Sequence, residues 1–253
     1  MNTFPIAIAV EARKARSSIV LRATAGLIVL GVCGLATMVI LAGRSGNQEL
    51  IAKLGPNAAT ADWPALLGTG VQITAAGGLL GFGVGVSWLF GREFADGTVA
   101  ALFGLPVGRS RIAMAKLVIY AAWAAGVSVL LTLGLLVTGL AAGLGPPDAG
   151  TVAGLARQLA LGLLTAVIAV PAGWAASWGR GLLPGIAVTI GLLVVAQVSV
   201  LGGFASWLPI VAPAFWAMQP DARAALALLT VPLVPLVFGA ATLSIWTRLQ
   251  LDR

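Results

Sequence analysis

The chain has no histidine, a single cysteine, and charged residues at only 9% of its 253 positions. The missing histidine removes the commonest metal ligand and the usual near-neutral proton carrier. Cys33 has no second thiol in the chain to pair with and reads as a small hydrophobe inside an apolar run. A soluble domain carries roughly 25% charged residues, so this chain has too little polar surface to cover a water-soluble globule. It also contains no G-x-x-x-x-G-K-[ST] phosphate loop and no polar stretch long enough to house one. ATP hydrolysis and bound cofactors are therefore not expected of this chain itself.

What the sequence has is apolar length. A bilayer core of about 30 Å needs about 20 mostly apolar residues per helical crossing. Six stretches qualify: Ala23–Ala42, Leu66–Phe90, Leu117–Ala142, Leu155–Trp178, Leu182–Gly202 and Ala224–Trp246. They lack the two-residue alternation of barrel strands, so each is expected to be a helix, the other structure that satisfies its backbone in lipid. Trp63, Trp88, Tyr120, Trp178, Trp207 and Trp246 fall near the ends of these stretches, where interfacial aromatics belong. The expected fold is an all-α, six-span membrane protein forming one domain over 1–253.

The net charge of +7 reads as topology rather than as affinity for nucleic acid. Arg13, Lys14, Arg16, Arg22, Arg92, Arg109, Arg111, Lys116, Arg180, Arg248 and Arg253 fall on one side of the six crossings; only Arg44, Lys53, Arg157 and Arg223 fall on the other. Positive residues stay inside, so both termini are expected in the cytoplasm. An Ala-, Gly-, Val- and Arg-rich composition with three lysines suggests a GC-rich bacterial genome, and a bacterial inner (plasma) membrane is the expected location. Residues 1–22 do not read as a cleaved leader, because Glu11 interrupts the basic region and no small-residue cleavage site follows a short apolar core. Residues 5–20 are a candidate surface helix with Ile6, Val10 and Leu21 on its apolar face, although Arg13 and Lys14 intrude on that face.

The loop between the second and third crossings, 91–116, is the richest segment. Asp96 is expected to cap a short helix. Val99, Leu102 and Phe103 then share one face at i, i+3 and i+4, and Pro106 ends the turn. Arg109, Arg111 and Lys116 are expected near the headgroups. A short helix with an apolar face needs something to bury that face, either lipid or a partner.

This segment resembles the cytoplasmic loop of type-2 ATP-binding-cassette (ABC) exporter permeases. Glu93, Gly97-Thr98, Leu102, Pro106, Arg109 and Lys116 stand in the family's order, and Glu11-Ala12-Arg13-Lys14 resembles its charged segment before the first span. Phe103-Gly104 departs from the bulkier aliphatic pair usual there. The resemblance implies a coupling helix that docks on a separate ABC ATPase subunit, with Glu93, Asp96, Gly97, Thr98, Val99, Leu102, Phe103, Pro106 and Arg109 at the contact. It further implies that ATP and magnesium bind on that partner and that two permease copies, identical or different, work together in the lipid bilayer.

By these boundaries no Asp, Glu or Lys lies mid-membrane. An ion-coupled carrier commonly keeps such a group, because a mid-membrane charge costs roughly 2.5–3.5 kcal/mol on insertion scales. Its absence favours an exporter driven from outside the bilayer over the alternatives, an ion-coupled multidrug carrier or a non-transporting immunity or scaffold protein. Polar residues inside the spans are candidates for a substrate path, above all Gln72, Thr74, Gln197 and Ser199; helix-to-helix hydrogen bonding is their plainer use. Gly77, Gly81 and Gly85 form a smooth stripe for close helix packing, within the chain or between two copies. Pro171, Pro232 and Pro235 are expected to kink spans four and six. The apolar, proline-broken segment 203–223 is expected to be a re-entrant or interfacial outer element, with Trp207, Phe215 and Trp216 as outer-gate candidates. An apolar path would suit a hydrophobic or amphiphilic substrate.

Overall fold

The computed structural model describes residues 3–104, 106–202 and 208–250. Among them there is no strand, and six helical spans are long and apolar enough to cross a membrane. Span one is α2 (Ile19–Ser45), preceded by a separate helix α1 (Phe4–Ser17). The break between them is chemical. Ser18 leaves the helical conformation, and its hydroxyl accepts from the Leu21 amide at 3.1 Å, which starts the second helix afresh. Gly46, at φ 65°, ends α2 in the left-handed conformation that glycine adopts without strain.

Span two is continuous from Trp63 to Ala95 but has three parts: α4 (Trp63–Ile73), a π-helical segment (Thr74–Gly78) and α5 (Leu79–Ala95). Short α3 (Gln48–Leu54) and a 3-10 turn (Pro56–Ala59) lead into it. After α6 (Val99–Leu102), α7 (Arg109–Ala141) forms span three. Span four joins α8 (Ala149–Ile168) to α9 (Val170–Trp178), broken at Ala169 where Pro171 enters the first turn of α9. Span five is α10 (Leu182–Leu201). After α11 (Ala212–Met218), span six runs through α12 (Ala222–Ala227), a 3-10 turn (Leu228–Thr230) and α13 (Leu233–Thr247). The prolines expected to disturb spans four and six lie at or beside these interruptions.

Spans two and four form the centre of the bundle, with α5 packed against α9, α10, α2 and α7. Phe82, Val86, Leu89 and Phe90 of α5 are buried there. Spans five and six stay peripheral: Leu183, Ile190, Val194 and Leu201 on α10, and Leu229, Leu233 and Leu236 on span six, are exposed. Apolar surface on this scale suits contact with lipid rather than water.

An even number of crossings brings the termini to one end of the bundle. There Arg111 donates to Thr3 Oγ1 at 2.9 Å, and Arg109 donates to the Leu249 carbonyl. The opposite, far end carries α3, the Gly143–Asp148 turn and α11, which packs against α8 and α4 instead of crossing.

Candidate functional site

The terminal end holds the segment singled out in the sequence, and its geometry differs from the expectation at Asp96. The run Glu93–Thr98 stops one helix instead of starting another. Gly97 is left-handed at φ 67°; its amide bonds to the Phe94 carbonyl at 3.2 Å, and the Thr98 amide bonds to the Glu93 carbonyl at 2.9 Å. This is the Schellman pattern that closes a helix C-terminus. Asp96 has no capping bond and instead pairs with Arg92 at 3.6 Å. Glycine at the position after the cap dictates the stop, and the aspartate follows it.

Thr98 also explains why a glutamate stands five residues earlier. Its hydroxyl lies 3.2 Å from Glu93 Oε2 and 3.3 Å from the Glu93 carbonyl. The loop is thereby tied to a carboxylate that is itself buried, at 3% exposure.

That carboxylate belongs to a four-charge cluster not anticipated from the sequence. Lys116 Nζ sits 2.8 Å from Glu11 Oε2 and 2.9 Å from Glu93 Oε1; Lys14 Nζ sits 2.8 Å from Glu11 Oε1 and 2.8 Å from Glu93 Oε1. Lys116 is fully buried among protein side chains and lies seven residues inside the continuous helix α7. Trp246, expected as an interfacial anchor, is also buried; its ring centroid is 5.8 Å from Lys116 Nζ, and its indole donates to Ser177 Oγ at 3.0 Å. Two carboxylates against two ammonium groups neutralise one another, which is what burial of charge demands. Burial alone would lower the Lys14 pKa, but its two carboxylate partners outweigh that and hold it above its ordinary value. The cluster fastens α1, the end of α5 and the start of α7 together.

It also sets the orientation of α1. Glu11 and Ala7 face the bundle, whereas Ile6 and Val10, expected on the apolar face of a surface helix, are exposed. Pairing of Glu11 with Lys14 and Lys116 turns that side of α1 inward, and small Ala7 lets α1 lie close to α7.

Beyond Thr98 the expected coupling helix is one turn, α6. Its face is split. Leu102 is buried, with Ile6, Val10 and Ile112 around the same small cavity, and Val99 is half-buried. Phe103 is exposed and lies under the Arg109 guanidinium, 4.6 Å from its ring centroid. Pro106 lines that same cavity.

The substrate-path candidates separate into two groups. Thr74 and Gln72 lie on one seam between spans two and four. Gln158 Nε2 donates to Thr74 Oγ1 at 2.8 Å, and Asn57 Nδ2 donates to Gln72 Oε1 at 3.3 Å. Thr74 opens the π-helical segment, a local feature frequent at functional sites. Gln158, absent from the sequence candidates, is buried, and its amide oxygen meets no donor among the described residues. Gln197 and Ser199 lie elsewhere, on α10: Gln197 is exposed, and Ser199 is buried with its hydroxyl on the Val195 carbonyl at 2.6 Å.

The glycine stripe is not one face. A Cβ on Gly81 would lie 2.6 Å from Ile28 of α2, and one on Gly85 would lie 2.6 Å from the Trp123 ring of α7. At Gly77 the nearest atom is Ile73 Cγ2 of its own helix, at 3.7 Å. The π-helical segment ends at Gly78, so Gly77 is out of phase with the other two. On α11, Phe215 and Trp216 are half-buried, and Trp216 packs on Val71, Leu161 and Ala217. Trp207 lies outside the described residues, as do the first residues of the 203–223 element.

No curated protein matches this chain. A family model described as "ABC-2 family transporter protein" matches residues 7–197, from α1 to near the end of α10. The match takes in the charged cluster, the Gly97 stop and spans one to four whole, and the chain therefore belongs to the ABC-2 transporter family of membrane proteins.

Proposed function

We propose that the chain is the permease subunit of an ATP-driven exporter, moving a hydrophobic or amphiphilic substrate out of the cell while a separate ABC ATPase hydrolyses ATP. Membership of the ABC-2 family supports the permease role, and its members work with ABC ATPase partners. Under this reading the termini and the Glu93–Arg109 loop face the cytoplasm, and a second permease copy completes the path.

The observation that carries the proposal is the anchoring of that loop. Thr98 is tied to Glu93, and Glu93 is bridged by Lys14 and Lys116 to α1 and α7. A force on α6 from a docked ATPase would reach spans two and three and the N-terminal helix as one body.

Purification of the tagged full chain from its native membrane tests this. The expected result is an ATP-hydrolysing partner in stoichiometric amount, with export that stops on ATP depletion. A chain that purifies alone, with export surviving ATP depletion and collapsing with an uncoupler, overturns the proposal.

A further inference from the structure

The far end of the bundle contains a cavity of about 810 Å³ between α4, α8 and α11, within the size range of small-molecule sites. Asp62 and Asp148, both exposed, stand at its mouth with Trp63 buried beside them, and half-buried Arg157 and exposed Gln72 line it nine residues beyond Asp148 and Trp63 along α8 and α4. At 1.5 Å per residue, both lie about 13 Å further along their helices than Asp148 and Trp63.

The charges in this cavity are not equivalent. Asp62 accepts from the Ala65 amide at 2.9 Å and the Thr60 hydroxyl at 3.0 Å, and Asp148 accepts from the Thr151 amide at 2.7 Å. Both are helix caps at the mouth. Bonding to Thr151 holds the Asp148 carboxyl below its ordinary pKa. Arg157 is half-buried and makes no hydrogen bond or ion pair among the described residues. A guanidinium at this depth in an apolar span is costly to insert and is kept where it meets an anion. Around it Leu67, Val71 and Ala217 are apolar, and Met218 adds an adaptable wall.

We infer that this cavity binds an amphiphile carrying one anionic group, a carboxylate or phosphate ester, with the anion on Arg157 and Gln72 and the apolar body along Leu67, Val71 and Met218. The two mouth carboxylates select against polyanions. This names the substrate class and rests on the exporter reading; the binding itself requires no ATPase.

The test is fluorescence titration of the purified full chain, in neutral maltoside micelles, with 11-(dansylamino)undecanoic acid and with its methyl ester. The acid is expected to bind and the ester to bind about tenfold or more weakly, the size expected for loss of hydrogen bonds to a charged group. Arg157→Gln should erase that preference, Arg157→Lys should keep part of it, and Lys53→Gln, on exposed α3, should leave it unchanged. Displacement by lyso-phosphatidylglycerol identifies a lipid headgroup as the occupant, and resistance to it identifies a free anionic substrate; both support the site. Equal binding of acid and ester, or an unchanged preference in R157Q, overturns it. Should R157Q fail to purify, the ester comparison and R157K decide. If acid-selective binding persists without ATP-driven export, only the exporter reading falls; if export proceeds without that selectivity, only the site does.

Discussion

Lys116 donates to Glu11 at 2.8 Å across 105 positions of sequence, inside a region where Lys116 is wholly hidden from solvent. The contact joins a helix outside the six spans to the third span, and Glu93 closes it from the second. Removing one partner leaves the others buried and uncompensated.

Lys116→Met should therefore destabilise the protein by about 3–5 kcal/mol, the usual cost of breaking a buried ion pair from one side. Thermal unfolding in detergent measures this. Adding Glu93→Gln to Lys116→Met should recover part of the loss, because it removes a stranded charge; an additive loss would contradict the cluster.

Gly97→Ala forces a side chain into the left-handed region at φ 67°, at a cost of about 1–2 kcal/mol. Gly97→Asn should cost less, since asparagine tolerates that region. The expected outcome is a modest fall in melting temperature with a larger fall in ATP-driven export, read by parallel melting and flux assays.

The helical glycines should part company. Gly85→Ala pushes a Cβ to 2.6 Å from the Trp123 ring and should cost about 1–3 kcal/mol as overpacking. Gly77→Ala has no close neighbour beyond its own helix and should gain roughly 0.5–1 kcal/mol through lower backbone entropy in the unfolded chain. Melting temperatures of the two variants distinguish a packing glycine from a spare one.

Lys14 gives a pH signature. Its pKa is raised above the ordinary lysine value of 10.5, so its contribution is fully present below that value and is lost as pH rises through the folded-state pKa. Lys14→Met should remove that alkaline loss. The melting temperature of the native chain should fall faster than that of K14M as pH climbs past 10.5.

The six spans were legible in the sequence because lipid imposes one rule, a long apolar helix, and Ile19–Ser45 or Arg109–Ala141 obey it without competition. The ABC-2 relationship was legible in the order from Glu93 to Lys116. Asp96 misled because Asp-Gly carries two opposite signals, a cap at a helix start and a glycine at a helix stop, and only the backbone turn at Gly97 decides between them. The Glu11–Glu93–Lys116 cluster was illegible because its members are far apart in sequence and each, alone, had another reading: Glu11 in a charged N-terminal segment, Glu93 at a partner contact, Lys116 near the headgroups. Arg157 read as a residue near a span end; its depth appears only once Asp148 fixes the start of α8. The phase slip after Thr74 comes from a π-helical segment that no residue pattern announced.

The central claim is that one turn of helix between spans two and three carries work into the bundle. Its most direct measurement is ATP-driven flux in proteoliposomes containing this chain with its co-purifying ATPase, comparing the native chain with one in which Val99–Leu102 is replaced by Gly-Ser-Gly-Ser. The account predicts that the variant still folds but loses both the ATPase and the flux. Unchanged flux with the ATPase still bound would contradict it.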